Sequence, residues 1–254
     1  MPVSIPTGWN PSALGSVLTL NPDGVTLTKT LGAGFARSIT SVTTGKWYVE
    51  ILRTTLSTWM PGLSSASNPL NQYPGQSGST SIGMENGTIY GGGGGGAGGL
   101  AVTGWIGLAV DADARKLTYS NASASAITSI PWSGAIYLAG GADSGATSGS
   151  LKLNAGQTSF AYSVPSGYTA GFPAIVFYQL TGPAVTDDSG APAQRAIWAL
   201  RRDTMVPIAN TLSDATTGDW SILTAYTGEV LVLCLDDASG TQYNLLAFDR
   251  VLAV

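Results

Sequence analysis

Residues 45–51, GKWYVEI, constrain the fold more than any other stretch of the chain. A turn glycine and a lysine lead into strict alternation, with Trp47, Val49 and Ile51 at one parity and Tyr48 and Glu50 at the other. Successive strand side chains point to opposite faces, so a period of two predicts a strand with one core-facing side and one polar, solvated side. Residues 105–120, WIGLAVDADARKLTYS, repeat the pattern, break at the turn formers 111–115 and resume, which predicts a hairpin. Together the two segments predict the core of a β-sandwich.

Elsewhere the chain reads as short strands between turns, and no stretch has a helical period. A hairpin is expected over 16–30 around NPDG at 21–24. Strands are expected at 35–42 and, despite Pro61, at 60–64. Residues 68–79 read as a polar surface loop carrying Tyr73, and 81–90 as extended structure with an Asn86-Gly87 turn. The run GGGGGGAGG at 91–99 has almost no side chain to pack and is costly to order. A strand pair around Pro131 and Trp132 is expected over 127–139, with 151–154 and 160–162 closing the unit. Pro2, Pro6 and Pro11 mark residues 1–10 as an arm, either disordered or ordered against a neighbouring subunit.

The boundary is placed near Phe172, giving an arm at 1–10, a first sandwich at 11–172 and a second unit at 173–254. Nine of the fifteen acidic residues but only four of the eleven basic ones lie beyond it. In the second unit, strands are expected at 175–178, 182–186, 195–201, 207–212, 219–223, 229–235, 243–246 and 250–254. Turn signals at 186–192, 213–219 and 236–240 punctuate them. That spacing predicts an immunoglobulin-like sandwich, so the whole chain is expected to be all-β.

Composition narrows the function. Charged residues make up 10% of the chain, against about 25% in ordinary soluble domains. The net charge is −4 with no histidine, so neither a basic nucleic-acid footprint nor a polybasic membrane patch is present. A Ser-His-Asp triad, a Cys-His dyad and histidine metal sites are excluded for the same reason. The start, MPVSIPTGW, lacks the basic and apolar regions of a signal peptide, and no window approaches the about 18 apolar residues of a membrane span. A protein made in a cytoplasm, and soluble or assembled there, is expected. The single Cys234, in VLVLCLD, reads as a buried strand thiol.

Few residues compete as sites. The glycine run contains GxGxxG by repetition, but LAVTGW after it is not helical, so it reads as a flexible or quaternary-contact loop and not a dinucleotide site. Asp187, Asp188, Asp236 and Asp237 could gather calcium ligands at a sandwich end, although turn chemistry explains them without an ion. Glu50, Glu85 and Asp111 are the carboxylates that could meet as a glycosidase pair, but Glu50 and Asp111 fall where solvated carboxylates normally lie. No catalytic residue, metal or cofactor is assigned. Trp59, Tyr73, Tyr90 and Trp132 fall at strand ends or in loops, where an aromatic ring could stack on a sugar or fill a partner's pocket. For Trp59 and Trp132, packing in the core or at its rim is an equal alternative.

Five segments in order then carry a family resemblance: WNPSALGSVLTL at 9–20, GKWYVEI at 45–51, SIGMENGTIY at 81–90, GWIGLAVDADARKLTYSNA at 104–122 and NAGQTSFAYSVPSGY at 154–168. Over about two thirds of the chain they resemble the SPRY domain, the core of B30.2, in the variant common in bacteriophage virion proteins. Trp105 replaces the usual acidic residue after the strand-opening glycine, and Asn121-Ala122 replaces a frequent Asn-Gly turn. The resemblance implies a concanavalin-like β-sandwich whose loops at one end bind protein partners. The segments 181–204, 213–222 and 235–254 look like the immunoglobulin-like or carboxypeptidase-regulatory-like modules that end many phage tail proteins. The combination implies a non-enzymatic virion component, an accessory of the tail or head surface made in the host cytoplasm. Its expected partners are other virion proteins and further copies of itself, with neither nucleic acid nor membrane insertion. A binder of host receptor or glycan through the SPRY loops is the alternative, and a cytosolic SPRY adaptor a third.

Overall fold

The computed structural model describes residues 3–29, 32–55, 58–91, 100, 103–145, 149–187, 189–226 and 228–235, together with the backbone of 246–252. Residues 92–99 of the expected glycine-rich loop, the 236–240 turn, Asp188, Asp236 and Asp237, and residues 243–245 of the strand expected at 243–246 lie outside these residues. The chain is all-β: no helix occurs among the described residues. It divides into two compact units, Pro6–Ala174, and Met1–Ile5 with Ile175–Val254.

Strand β1 (Val3–Ile5) belongs to the smaller unit. The larger unit holds β2 (Trp9–Leu14), β3 (Leu18–Leu20), β4 (Thr26–Lys29), β5 (Gly34–Val42), β6 (Lys46–Arg53), β7 (Trp59–Ser64), β8 (Ser81–Glu85), β9 (Thr88–Tyr90), β10 (Gly104–Asp111), β11 (Lys116–Ser120), β12 (Ser125–Ser129), β13 (Ile136–Ala142), β14 (Leu151–Asn154) and β15 (Thr169–Ala170). The smaller unit continues with β16 (Ile175–Leu180), β17 (Ala196–Arg201), β18 (Pro207–Leu212), β19 (Ile222–Thr224), β20 (Glu229–Leu235) and β21 (Leu246–Leu252).

One sheet of the larger unit runs β12-β11-β10-β6-β14-β4-β3, with β15 parallel to β6, and the other runs β2-β5-β13-β7-β8-β9. Val49, Ile51, Leu108 and Leu117 from the first sheet share one buried cluster with Leu63, Ile82 and Leu138 from the second, which makes the unit a sandwich. The expected hairpins are present as β3–β4, β8–β9 and β10–β11. The Asn86-Gly87 turn has both residues at positive φ, 46° and 79°, the conformation a two-residue hairpin demands. Residues 127–139 do yield two strands, but β12 pairs with β11 and β13 with β5 and β7, so the chain changes sheets between them.

The anchor strand departs from its expected solvated side. Tyr48 and Glu50 are as buried as Val49 and Ile51, because residues 155–172 cross over that face. Gly171 N–H donates to the Tyr48 carbonyl at 2.8 Å, and the Phe160 ring meets Tyr48 edge-on at 5.2 Å between centroids. Residues 160–162, expected as a strand, form part of this covering segment instead.

The smaller unit contains a three-stranded sheet, β1-β16-β19, and a four-stranded sheet, β18-β17-β20-β21. Leu180 and Ile222 from the first share a cluster with Ile197, Ala199, Val230, Val232 and the buried Cys234 from the second. Within the expected arm at 1–10, residues 3–5 and 9–10 therefore lie in strands of this chain. Val3, Ser4 and Ile5 pair antiparallel with Phe177, Val176 and Ile175, and β2 begins at Trp9 in the other unit. Pro6 lies between the two strands, where it removes no ladder donor. The expected strand at 182–186 is absent: Gly182 lies against the Trp220 indole, whose Nε1 donates to the Pro183 carbonyl at 3.1 Å, and only an isolated bridge joins Thr186 to Pro192.

Candidate functional site

The pairing registers bring several polar residues to one end of the larger sandwich. Ala142 pairs with Trp59 and Leu151 with both Arg53 and Leu27, which places Lys29, Arg53, Thr58 and Asp143 at the same strand ends. Glu85, at the end of β8, joins them. Its carboxyl accepts from the Tyr90 hydroxyl and from the Thr58 backbone N–H, and feels the charges of Asp143 and Arg53.

Arg53 is fully buried, and its Nη1 donates to the Trp59 carbonyl at 3.3 Å. Burial lowers its pKa, against the attraction of Glu85. Burial raises that of Glu85, Asp143 adds to the rise, and Arg53, Tyr90 and Thr58 oppose it. Lys29 is lowered by burial while Asp143 opposes; its Nζ donates to the Asp143 carbonyl oxygen. Thr58 holds this junction at φ 44°, unusual for a β-branched residue, with its carbonyl accepting from Asp143 N–H at 3.2 Å. A backbone strained this way persists only where its surroundings over-determine it.

Of the four aromatic residues predicted as binding candidates, two meet here. Tyr73 and Tyr90 lie close enough to interact, both half-buried, and burial followed by Glu85 and Tyr73 raises the Tyr90 pKa. Gly75 and Gly83 bring them together, since a Cβ at Gly83 would strike Pro74 and one at Gly75 would strike the Tyr90 backbone. The 68–79 loop thus packs down on β8 and β9, with Asn68, Pro74 and Gly75 buried. Trp59 is 1% exposed and sits in the core beneath this end. Trp132 is buried in the same hydrophobic cluster, its Nε1 lacking a hydrogen-bond partner. For both tryptophans, the packing alternative describes the structure.

The three carboxylates weighed as an acid pair do not converge. Asp111 pairs with Lys46 at the start of β6, whereas Glu85 interacts with Arg53 at its end, roughly 23 Å away at about 3.3 Å per residue. Glu50, between them, accepts from Ala161 N–H at 2.7 Å, Tyr162 N–H at 2.8 Å and Tyr48 Oη at 3.1 Å. It clamps the covering segment to the sheet. Asp111 accepts from Ala114 N–H at 2.8 Å and pairs with Lys46 at 3.1 Å; these contacts outweigh burial and lower its pKa. Asp187 accepts from Ser189 and Ala191 within its own turn, the turn chemistry weighed against an ion.

Sequence reading missed Lys29, Arg53, Thr58 and Asp143. Arg53 alone left a signal: it continues the apolar parity of Val49 and Ile51, where a cation must find buried partners. In the smaller unit, an open cleft of about 270 Å³ is lined by Arg202, Asp203, Tyr226 and Glu229. Its charges are already paired, Arg202 with Glu229 and Asp203 with Arg201.

No protein-family model matches the chain, and no curated protein matches it. Among solved structures it is similar to the SPRY domain of human HERC1, at 17% identity and a TM-score of 0.49, over 60% of this chain and 100% of that one. It is also similar to the TRIM65 PSpry domain, at 13% identity and a TM-score of 0.49, over 59% of this chain and 92% of that one. Both are SPRY domains.

Proposed function

We propose that the chain is a non-enzymatic structural component of a bacteriophage virion, an accessory of the tail or head surface that acts through protein–protein contacts. The observation that carries this reading is the employment of its carboxylates: Glu50 clamps a covering segment, Glu85 joins a half-buried ionic cluster around the buried Arg53, and Asp111 closes a hairpin. Side chains that a hydrolase would need free are spent on architecture. The low charge and the five SPRY-like segments support the same reading, and seven strands in two sheets support an immunoglobulin-like reading of the smaller unit. Other virion proteins and further copies of the chain are its partners, and the particle is its location after synthesis in the host cytoplasm.

The test is mass spectrometry of purified particles before and after mild dissociation. A fixed stoichiometric share is expected, and absence from the particle would overturn the proposal. A second reading, binding of a host receptor or glycan, draws on the half-buried Tyr73 and Tyr90 at one loop end. A glycan-array signal lost on Tyr73→Ala and Tyr90→Ala would favour it, whereas Trp59→Ala and Trp132→Ala would report on folding instead.

A further inference from the structure

Among the described residues, eight strands end the four sheets, and an unprotected edge invites pairing with another chain. β1, β3, β9 and β19 are three residues long, too short to template much. β2 carries Pro11, β18 begins with Pro207 and β21 contains Asp249 and Arg250. The remaining edge is β12, Ser125–Ser129, with the sequence SAITS. Among the described edges of five residues or more, it alone has neither proline nor charge. Its central Ile127 is 66% exposed.

The ladder shows which backbone groups are free to pair. Ile130 N–H donates to the Arg115 carbonyl at 2.8 Å, and Asn121 N–H to the Ala124 carbonyl at 3.0 Å, either side of the β11–β12 register. Direction alternates along an antiparallel strand, so Ala124, Ala126, Thr128 and Ile130 point their backbone groups at β11. Ser125, Ile127 and Ser129 therefore point theirs off the edge of the sheet.

We infer that β12 is a homotypic docking edge, joined antiparallel to β12 of a second copy about a two-fold axis through Ile127. The strand is its own complement in this arrangement. Ile127 faces Ile127 of the second copy in a doubly hydrogen-bonded pair, Ser125 faces Ser129 in two more such pairs, and Ala126 faces Thr128. With no charge on the strand, no like charges oppose across the axis, and the two exposed isoleucines cover each other. Such a joint is smaller than the about 1,200 Å² of a stable interface, so it is weak in dilute solution and gains strength where copies are held together. The choice of a second copy rests on the assembly role proposed above. The test reads pairing in solution and not presence in a particle, so each can fail without the other.

In the full chain, Ile127→Cys should oxidise to a covalent dimer at least tenfold faster than Ser133→Cys, which places a thiol in an exposed loop of the same unit; Cys234 is buried. Sedimentation of the native chain towards millimolar concentration should show a dimer that Ile127→Pro and Ile127→Lys abolish. Proline is tolerated at 127 because that N–H serves no bond to β11. Equal cross-linking rates, a dimer that survives both substitutions, or a monomer throughout the concentration range would each overturn the inference. Should Ile127→Pro misfold, Ile127→Lys and the cross-linking rates decide.

Discussion

The two units handle apolar surface differently. In the larger one, a single cluster gathers residues from both sheets and encloses Trp9, Trp59 and Tyr119 together with the buried charges of Glu50 and Arg53. Among the described residues, the smaller unit has a cluster of nine buried residues and carries seven of the nine exposed large hydrophobic residues, among them Met205, Val206, Leu212 and Leu223. One has apolar area enough to enclose costly polar groups; the other leaves much of its apolar area in water and borrows a strand from the far side of its neighbour in sequence. A contact protein can tolerate such exposure where a solitary domain gains nothing from it.

Thermal unfolding of paired variants can break this comparison. The largest effect is expected from Trp9→Ala: the side chain is fully buried and its Nε1 donates to the Val25 carbonyl at 2.7 Å. A loss of about 4 kcal/mol should fall on the transition of the larger unit. Glu50→Ala should cost that unit about 3 kcal/mol by orphaning the N–H groups of Ala161 and Tyr162, and should expose 155–172 to protease before the sheets separate. Removing residues 1–5 should destabilise the smaller unit by about 2 kcal/mol and leave the larger transition where it was. A single cooperative transition that moves with all three changes would show that the units do not melt separately.

The smallest effect is that of pH, and it sharpens the comparison because both units share it. Asp23 and Asp111 in the larger unit, and Asp187, Asp203 and Asp214 in the smaller, are held below the usual 3.8. For Asp23 and Asp111, hydrogen bonds outweigh the upward pull of burial. Depressed carboxylates add stability above their unfolded pKa and lose it as pH falls through the folded one. Glu85 acts in the opposite sense, its contribution being lost as pH rises through its elevated value. With no histidine to titrate, both melting midpoints should stay level from about pH 6 to 8 and fall together below about pH 4. A step near neutrality in a scan of melting temperature against pH would contradict this account.

What was legible in the sequence was local. The NPDG and Asn-Gly hairpins, the β10–β11 hairpin and the buried strand around Cys234 each follow from neighbours within a few residues. What was illegible depended on distant chain. Glu50 looked solvated because its covering segment lies more than a hundred residues further on. The arm looked unpaired because its partner strand begins at Ile175. The same holds for the site: Tyr73 and Tyr90 were legible as aromatics in loops, but Lys29, Arg53 and Asp143 join them only through the registers of β4, β6 and β13. For Trp59 and Trp132 the sequence left binding and packing open, because a residue at a strand end or in a loop can still face the core, as both do.

The pairing of β1 with β16 also sets an order of events during synthesis. The partner of Val3–Ile5 is translated some 170 residues after them. At about 5–20 residues per second, that leaves roughly 10–35 s in which the nascent strand has no ladder while about 170 intervening residues are made. The smaller unit is thus closed by a segment made well before the strand it pairs with, and a hazard during synthesis is a foreign edge that captures residues 3–5 before their own partner exists.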